Sequence, residues 1–128
     1  MSLGSNPVSI VIIDDNPRSL EYLSTALAKD GVEILTASNA KEGLDLVYTH
    51  RPQIVLSDVV MPGMSGLDVL EYTKKFDPAT AVVLMSACNQ SDVTEAMQKG
   101  AAEYLNKPIP LALLRGCIGR LIRLSCRR

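Results

Sequence analysis

One pattern constrains this chain more than any other: short β-branched apolar runs, each ending on a polar or charged residue, alternate with segments of helical periodicity. Val8-Ser9-Ile10-Val11-Ile12-Ile13 is almost wholly apolar and runs into Asp14-Asp15. Ile54-Val55-Leu56 leads through Ser57 to Asp58, and Ala81-Val82-Val83-Leu84-Met85 leads to Ser86. Residues 33–37 and 102–106 read as two further strands, the second followed by Lys107-Pro108. Apolar runs with no polar face predict strands covered on both sides. Parallel neighbours need helical crossovers, so five such strands alternating with five helices predict an α/β fold, a parallel sheet with helices on both faces.

The punctuation agrees with that reading. Asn16-Pro17 is a cap and first-turn pair, after which Leu20, Leu23, Ala26 and Leu27 recur at helical spacing until Gly31. Ser38-Asn39 precede a helix whose inner face falls on Ala40, Gly43, Leu44 and Val47, and Pro52 ends that unit. Gly66 to Lys75 predicts a third helix with Leu67 and Leu70 inward, broken by Asp77-Pro78. Ser91 to Lys99 predicts a fourth, and the last helix carries Leu111, Leu114, Ile118, Leu121 and Ile122 on one stripe. No linker or internal repeat divides the chain, and 128 residues suit a single core, so residues 8–128 read as one domain. Residues 1–7 are expected to be a tag remnant or a disordered N-terminus.

In open parallel sheets the ligand site lies beyond the carboxyl ends of the strands, where the strand order switches. Asp14, Asp15, Asp58, Ser86 and Lys107 therefore project from one edge. Three carboxylates in one crevice repel one another, and a raised pKa or a bound cation must relieve the repulsion. An oxygen-only ligand set suits a hard divalent ion such as magnesium. Such an ion and the Lys107 ammonium, with an exposed aspartate between them, would stabilise a phosphoryl group moving to a carboxylate nucleophile. The Ser86 hydroxyl could hydrogen-bond a phosphoryl oxygen and so sense its presence.

Composition excludes several other functions. Thirteen basic against fourteen acidic side chains give a net charge of -1, so no global field draws the chain onto nucleic acid or anionic lipid. Its apolar stretches are strand-sized and no secretory leader opens it, which predicts a cytoplasmic protein. The three cysteines, Cys88, Cys117 and Cys126, lack metal-type spacing and are expected to be reduced.

Four pieces in order carry a family resemblance: Ile12-Ile13-Asp14-Asp15; Asp58 with Met61-Pro62-Gly63-Met64-Ser65-Gly66; Ser86-Ala87; and Gly100-Ala101-Ala102-Glu103-Tyr104-Leu105-Asn106-Lys107-Pro108. On these residues the chain resembles the CheY-like receiver domains of bacterial two-component response regulators. The resemblance implies a flavodoxin-like three-layer sandwich with strand order 2-1-3-4-5. It implies that Asp58 is the phosphoacceptor for a sensor histidine kinase. By the same resemblance, Asp14, Asp15, Asp58 and the Val60 backbone carbonyl hold Mg2+ or Mn2+, while Ser86, Ala87 and Lys107 bind the phosphoryl group. Ser86 and Tyr104 become the switch pair, and Pro108 follows a cis bond.

The implied output surface is formed by the fourth helix, fifth strand and fifth helix. It would control an output domain, a downstream protein or a phosphorylation-dependent homodimer, with no direct binding of nucleic acid or membrane. Such a domain is a signalling module rather than a turnover enzyme, taking part only in its own phosphotransfer and autodephosphorylation. Val60 and Cys88 stand where relatives often carry side chains that tune attacking water, so slow or unremarkable self-dephosphorylation is expected. A pseudo-receiver without phosphotransfer would be expected to lack at least one of these site residues. A flavin or nucleotide site would need a loop of glycines and hydroxyls where Asp14-Asp15 stand.

Other residues have plainer readings. His50, near a helix end, complements the helix dipole and is given no catalytic role. Arg115, Arg120, Arg123, Arg127 and Arg128 read as a solvated face of the last helix. Gly116 and Gly119 within that helix each cost about 1 kcal/mol against alanine, and read as a mark of a weak helix or as room for a partner helix.

Overall fold

A computed structural model describes residues 8–29, 31–87 and 90–125, with residues 90–92 described for backbone alone. Residues 1–7, Cys88 and Cys126, for which the sequence raised expectations, lie outside the described residues. The strands are β1 (Val8–Ile13), β2 (Val32–Ala37), β3 (Ile54–Asp58), β4 (Ala81–Ser86) and β5 (Glu103–Asn106). The helices are α1 (Pro17–Leu27), α2 (Ala40–His50), α3 (Gly66–Phe76), α4 (Gln90–Gln98) and α5 (Leu111–Ser125). All strand pairs are parallel, in the order β2-β1-β3-β4-β5.

The apolar runs behave as their composition requires. Every residue of β1 and β3 is buried, whereas β2, at the sheet edge, is largely half-buried. Alternation along the strands divides the core into two layers. Val11, Ile13, Val55, Val82 and Leu84 pack under α2, α3 and α4, against residues such as Leu44, Val47, Val69, Leu70 and Ala96. Ile10, Ile12, Leu56, Val83, Met85 and Leu105 face α1 and α5, against Leu23, Leu27, Leu114, Cys117 and Ile118. The result is a three-layer sandwich with three helices on one face and two on the other.

Helix starts follow their caps. The Asn16 side chain accepts from the Arg18 and Ser19 N–H groups at 2.9 and 3.4 Å, with Pro17 in the first turn. Asn39 accepts from the Glu42 N–H at 2.9 Å, and Ser65 and Asp68 form a reciprocal capping box that opens α3. Each such cap stabilises its helix by about 1 kcal/mol.

Three expectations need correction. α1 stops at Leu27, ahead of Gly31, whose φ of +81° suits a residue without Cβ. The ends of β2, β5, α3 and α4 each differ from expectation by one residue. The inner face of α3 adds Val69 and Thr73 to Leu70, while Leu67, half-buried, packs against the same core as expected. In α5, Leu111 is exposed and Cys117 is buried, so the stripe begins a turn later, at Leu114.

Candidate functional site

Strand register assembles the site. Ile13 pairs with Ser57, so Asp14 and Asp58, one step further on, end neighbouring strands. Asp58 in turn pairs with Met85, and Ser86 pairs with Asn106, which places Lys107 one step beyond β5. Asp14, Asp58 and Lys107 each lie two residues after an inward residue of the α1/α5 layer, namely Ile12, Leu56 and Leu105. The pleat therefore directs all three side chains to the same side of the sheet edge. By the same count Ser86 follows Leu84 and lies on the α2/α3/α4 side, where Tyr104, paired with Leu84, also packs.

Lys107 bridges the two acids: its Nζ donates to Asp14 Oδ2 at 3.0 Å and to Asp58 Oδ2 at 3.1 Å. Asp14 is completely buried, and its other carboxylate oxygen accepts from the Asn16 backbone N–H at 2.9 Å. Asp15 is exposed beside them, and one carboxylate oxygen from each of Asp14, Asp15 and Asp58 lies within 4.8 Å of the others. This cluster meets the ligand chemistry of a hard divalent ion: oxygen donors alone, converging, with one side open to solvent. The Val60 side chain is 71% exposed at the mouth of the site and offers no acid or base.

The electrostatics follow from crowding. Burial pushes the Asp58 carboxyl above its ordinary value; hydrogen bonding and charge attraction from Lys107 oppose this, Asp14 adds to it, and a Val60 backbone hydrogen bond opposes it. Burial pulls on the Lys107 ammonium as well, but its bonds to Asp14 and Asp58 outweigh the pull and raise it. Lys107 is fixed by its backbone, whose N–H donates to the Ser86 carbonyl at 2.8 Å, and the Lys107–Pro108 peptide is cis. Ser86 is buried, and its Oγ donates to the carbonyl of Ala87, which is exposed.

Two contributors were not legible as site residues. The Asn16 backbone holds Asp14 through an Asx turn, for which Asp-x-Asn is a recognisable signal. Gly66 lets α3 start directly against the acceptor strand: a Cβ there would meet the Asp58 carbonyl oxygen and, at 2.8 Å, Val59 Cα. Its N–H donates to the Val59 carbonyl at 2.9 Å. A cavity of about 490 Å³ opens beside Lys107 between α1 and the segment after β5, with Arg18, Tyr22 and Ile109 in its lining.

An open parallel sheet with a carboxylate–ammonium cluster where its strand order reverses defines a class of α/β proteins built to handle an anion or cation at the strand ends. Comparison with known proteins narrows the class. The family model for the response regulator receiver domain matches residues 10–118, and the chain belongs to that family. It is 34% identical over 115 residues to the transcriptional regulatory protein KdpE of Mycobacterium tuberculosis, covering 87% of this chain and 51% of that one. It is 30% identical over 117 residues to sporulation initiation phosphotransferase F of Bacillus subtilis, covering 91% and 94%. A receiver domain protein structure from Clostridium thermocellum superposes with a TM-score of 0.85 at 35% identity, covering 92% and 96%. The chain spans about half the length of the first curated relatives it matches, KdpE among them. It is thus a receiver domain of two-component signalling, and no helix among the described residues is long and apolar enough to cross a membrane.

Proposed function

We propose that this domain is a phosphorylation-controlled switch in which Asp58 takes a phosphoryl group from the phosphohistidine of a sensor kinase. The observation that carries the reading is the bridge of Lys107 to both Asp14 and Asp58 with Asp15 alongside. An Asp58 carboxylate oxygen attacks phosphorus as the bond to the donor nitrogen breaks, and the histidine keeps the electron pair. Lys107, already bonded to that carboxylate, exchanges Asp58 for the incoming phosphoryl oxygens and neutralises part of their charge. Asp14, Asp15, Asp58 and the Val60 carbonyl would hold Mg2+ or Mn2+, which supplies further charge neutralisation when bound.

The Ser86 hydroxyl and the Ala87 backbone would complete the phosphoryl contacts. The Ser86 hydroxyl donates to the Ala87 carbonyl, so turning towards the phosphoryl group would exchange one neutral bond for a charged one. Tyr104, on the same face of the sheet, would follow, linking the site to the surface of α4, β5 and α5 and so to an output domain, a downstream protein or a second copy. The cavity beside Lys107 gives a donor protein an approach along α1. On this reading residues 8–128 are a cytoplasmic signalling module, and its only chemistry is its own phosphorylation and dephosphorylation.

The test is intact-protein mass after incubation with acetyl phosphate and Mg2+. A gain of about 80 Da, one phosphoryl group, absent from Asp58→Asn and without the metal, is expected. No gain from either acetyl phosphate or a phosphorylated kinase, with the fold intact by circular dichroism, would make the domain a phosphate-independent binding module instead.

A further inference from the structure

Ser57 places a hydroxyl in a strand that otherwise buries hydrocarbon up to its terminal acid. It is fully buried, and the pleat puts it on the α2/α3/α4 side of β3 with Val55 and Val59, where alanine would leave no polar atom to satisfy. A hydroxyl is tolerated in such a place only when it is hydrogen-bonded. Its Oγ donates to the main-chain carbonyl of Asp58 at 2.9 Å. The β1–β3 register ends at the Ile13–Ser57 pair, so β1 offers Asp58 no ladder partner and the serine hydroxyl stands in for one.

That bond belongs to a set that fixes both peptide units following the acceptor. In the first unit, the Val59 N–H donates to the Met85 carbonyl at 2.9 Å and the Asp58 carbonyl accepts from Ser57. In the second, the Val59 carbonyl accepts from the Gly66 N–H at 2.9 Å, and the Val60 N–H faces the Asp58 carboxylate. The third unit begins with the Val60 carbonyl, the one assigned above to the cation. Its direction is inherited from the two units before it. Every other donor in the set is a backbone N–H; Ser57 alone supplies a side-chain donor, which a substitution can remove without touching the acid cluster.

We propose that Ser57 is a positioning residue for the acceptor site: its hydroxyl holds the Asp58 carbonyl so that the following turn presents the Val60 carbonyl to the cluster of Asp14, Asp15 and Asp58. Ser57 touches neither the phosphoryl group nor the ion. It acts through a peptide plane, and without its bond that plane rocks, leaving the Val60 carbonyl off the cation for part of the time. The inference rests on the switch reading for the cation and its ligands, and adds which residue outside the acid cluster sets their geometry.

The probe is Mg2+ alone, titrated into the unphosphorylated domain by isothermal titration calorimetry. Ser57→Ala should weaken Mg2+ binding about fivefold, the worth of one neutral hydrogen bond. Ser57→Thr keeps the donor and should stay within about twofold of wild type, whereas Ser57→Cys fills the space but donates weakly and should lie close to Ser57→Ala. Val82→Ala removes hydrocarbon from the same core layer, away from the turn; it should melt lower than Ser57→Ala yet bind Mg2+ within about twofold of wild type. Wild-type affinity in Ser57→Ala or Ser57→Cys, a folded Ser57→Thr as weak as Ser57→Ala, or a comparable loss in Val82→Ala would overturn the proposal. If Ser57→Thr is unfolded by circular dichroism, Ser57→Cys decides in its place. A wild type that binds no Mg2+ would fail the switch reading and take the proposal with it; a wild type that binds, with Ser57→Ala its equal, would fail the positioning role alone.

Discussion

Two lysines stand at opposite ends of the sheet and show how differently the same side chain is used. At the carboxyl edge, Lys107 Nζ is bonded to two carboxylates, Asp14 and Asp58. At the amino edge, Lys74 Nζ donates to two backbone carbonyls, Pro78 at 2.7 Å and Thr80 at 2.9 Å, and clips the turn between α3 and β4. Burial pulls on both ammonium groups. Asp77 opposes it too weakly at Lys74, which is lowered, while the two acids reverse it at Lys107, which is raised. Backbone and neutral side chains close the rest of this edge: the Ser9 N–H donates to Gln53 Oε1 at 2.7 Å, and Thr80 Oγ1 donates to the Pro52 carbonyl at 3.1 Å. One edge is closed by hydrogen bonds; the other concentrates charge that a ligand can exchange.

Removing the central cation should produce the largest effect. Lys107→Met leaves Asp14 and Asp58 uncompensated, and about 3 kcal/mol of stability at neutral pH should be lost in urea unfolding, the low end for breaking a buried pair because the Lys107 side chain is 30% exposed. With its pKa raised, wild-type Lys107 contributes fully below its unfolded value of 10.5 and loses that contribution as pH rises through the folded value. In the variant, protonation of Asp58 should recover stability as pH falls, and Mg2+ should recover part of it at pH 7. A variant as stable as wild type in metal-free buffer would mean that the two acids do not feel each other, and the contrast between the edges would fail.

The matching substitution at the other edge should do less, and differently. Lys74→Met should cost about 1 kcal/mol, the net worth of its bonds to carbonyl groups, with Mg2+ making no difference and phosphorylation of Asp58 unchanged by mass. Because the folded state holds the Lys74 proton less tightly, its contribution to wild-type stability should rise with pH between the lowered folded value and 10.5. A Mg2+-dependent change in Lys74→Met would sharpen the comparison into a coupling between the two ends of the sheet.

The difference between these edges was unequally legible in the sequence. β1, β3 and β4 declared themselves as apolar runs, and the residue at each end followed from strand polarity, so Asp14, Asp58, Ser86 and Lys107 could be placed together. Lys74 reads as an ordinary charged position on a helix, because its partners are backbone carbonyls, which no side-chain pattern marks. Helix faces were less secure than strands: Leu111 fits the helical period as well as Cys117 does, and only the seating of α5 on the sheet decides which is covered. Gly66 stood in plain sight within the turn after Asp58, but its reason is a backbone approach that exists only in three dimensions.

The smallest expected effect separates the two edges most cleanly, because its sign opposes the others. Asp58 is raised by burial against the pull of Lys107, so the folded state binds its proton more tightly than the unfolded chain does. Its contribution therefore favours folding at low pH and declines as pH rises from the unfolded value of 3.8 through the folded one. Asp58→Asn, neutral and nearly isosteric, removes that decline. In metal-free buffer at pH 7 the variant should melt on the order of a few degrees higher than wild type, with the gain vanishing at pH values where Asp58 is protonated in both states. Mg2+ should reverse the order by stabilising only the wild type. Most site removals destabilise a protein; a gain here would mean that the carboxylate is retained at a cost in folding, as a phosphoacceptor requires. A loss comparable to that of Lys74→Met would instead make Asp58 one more structural clip.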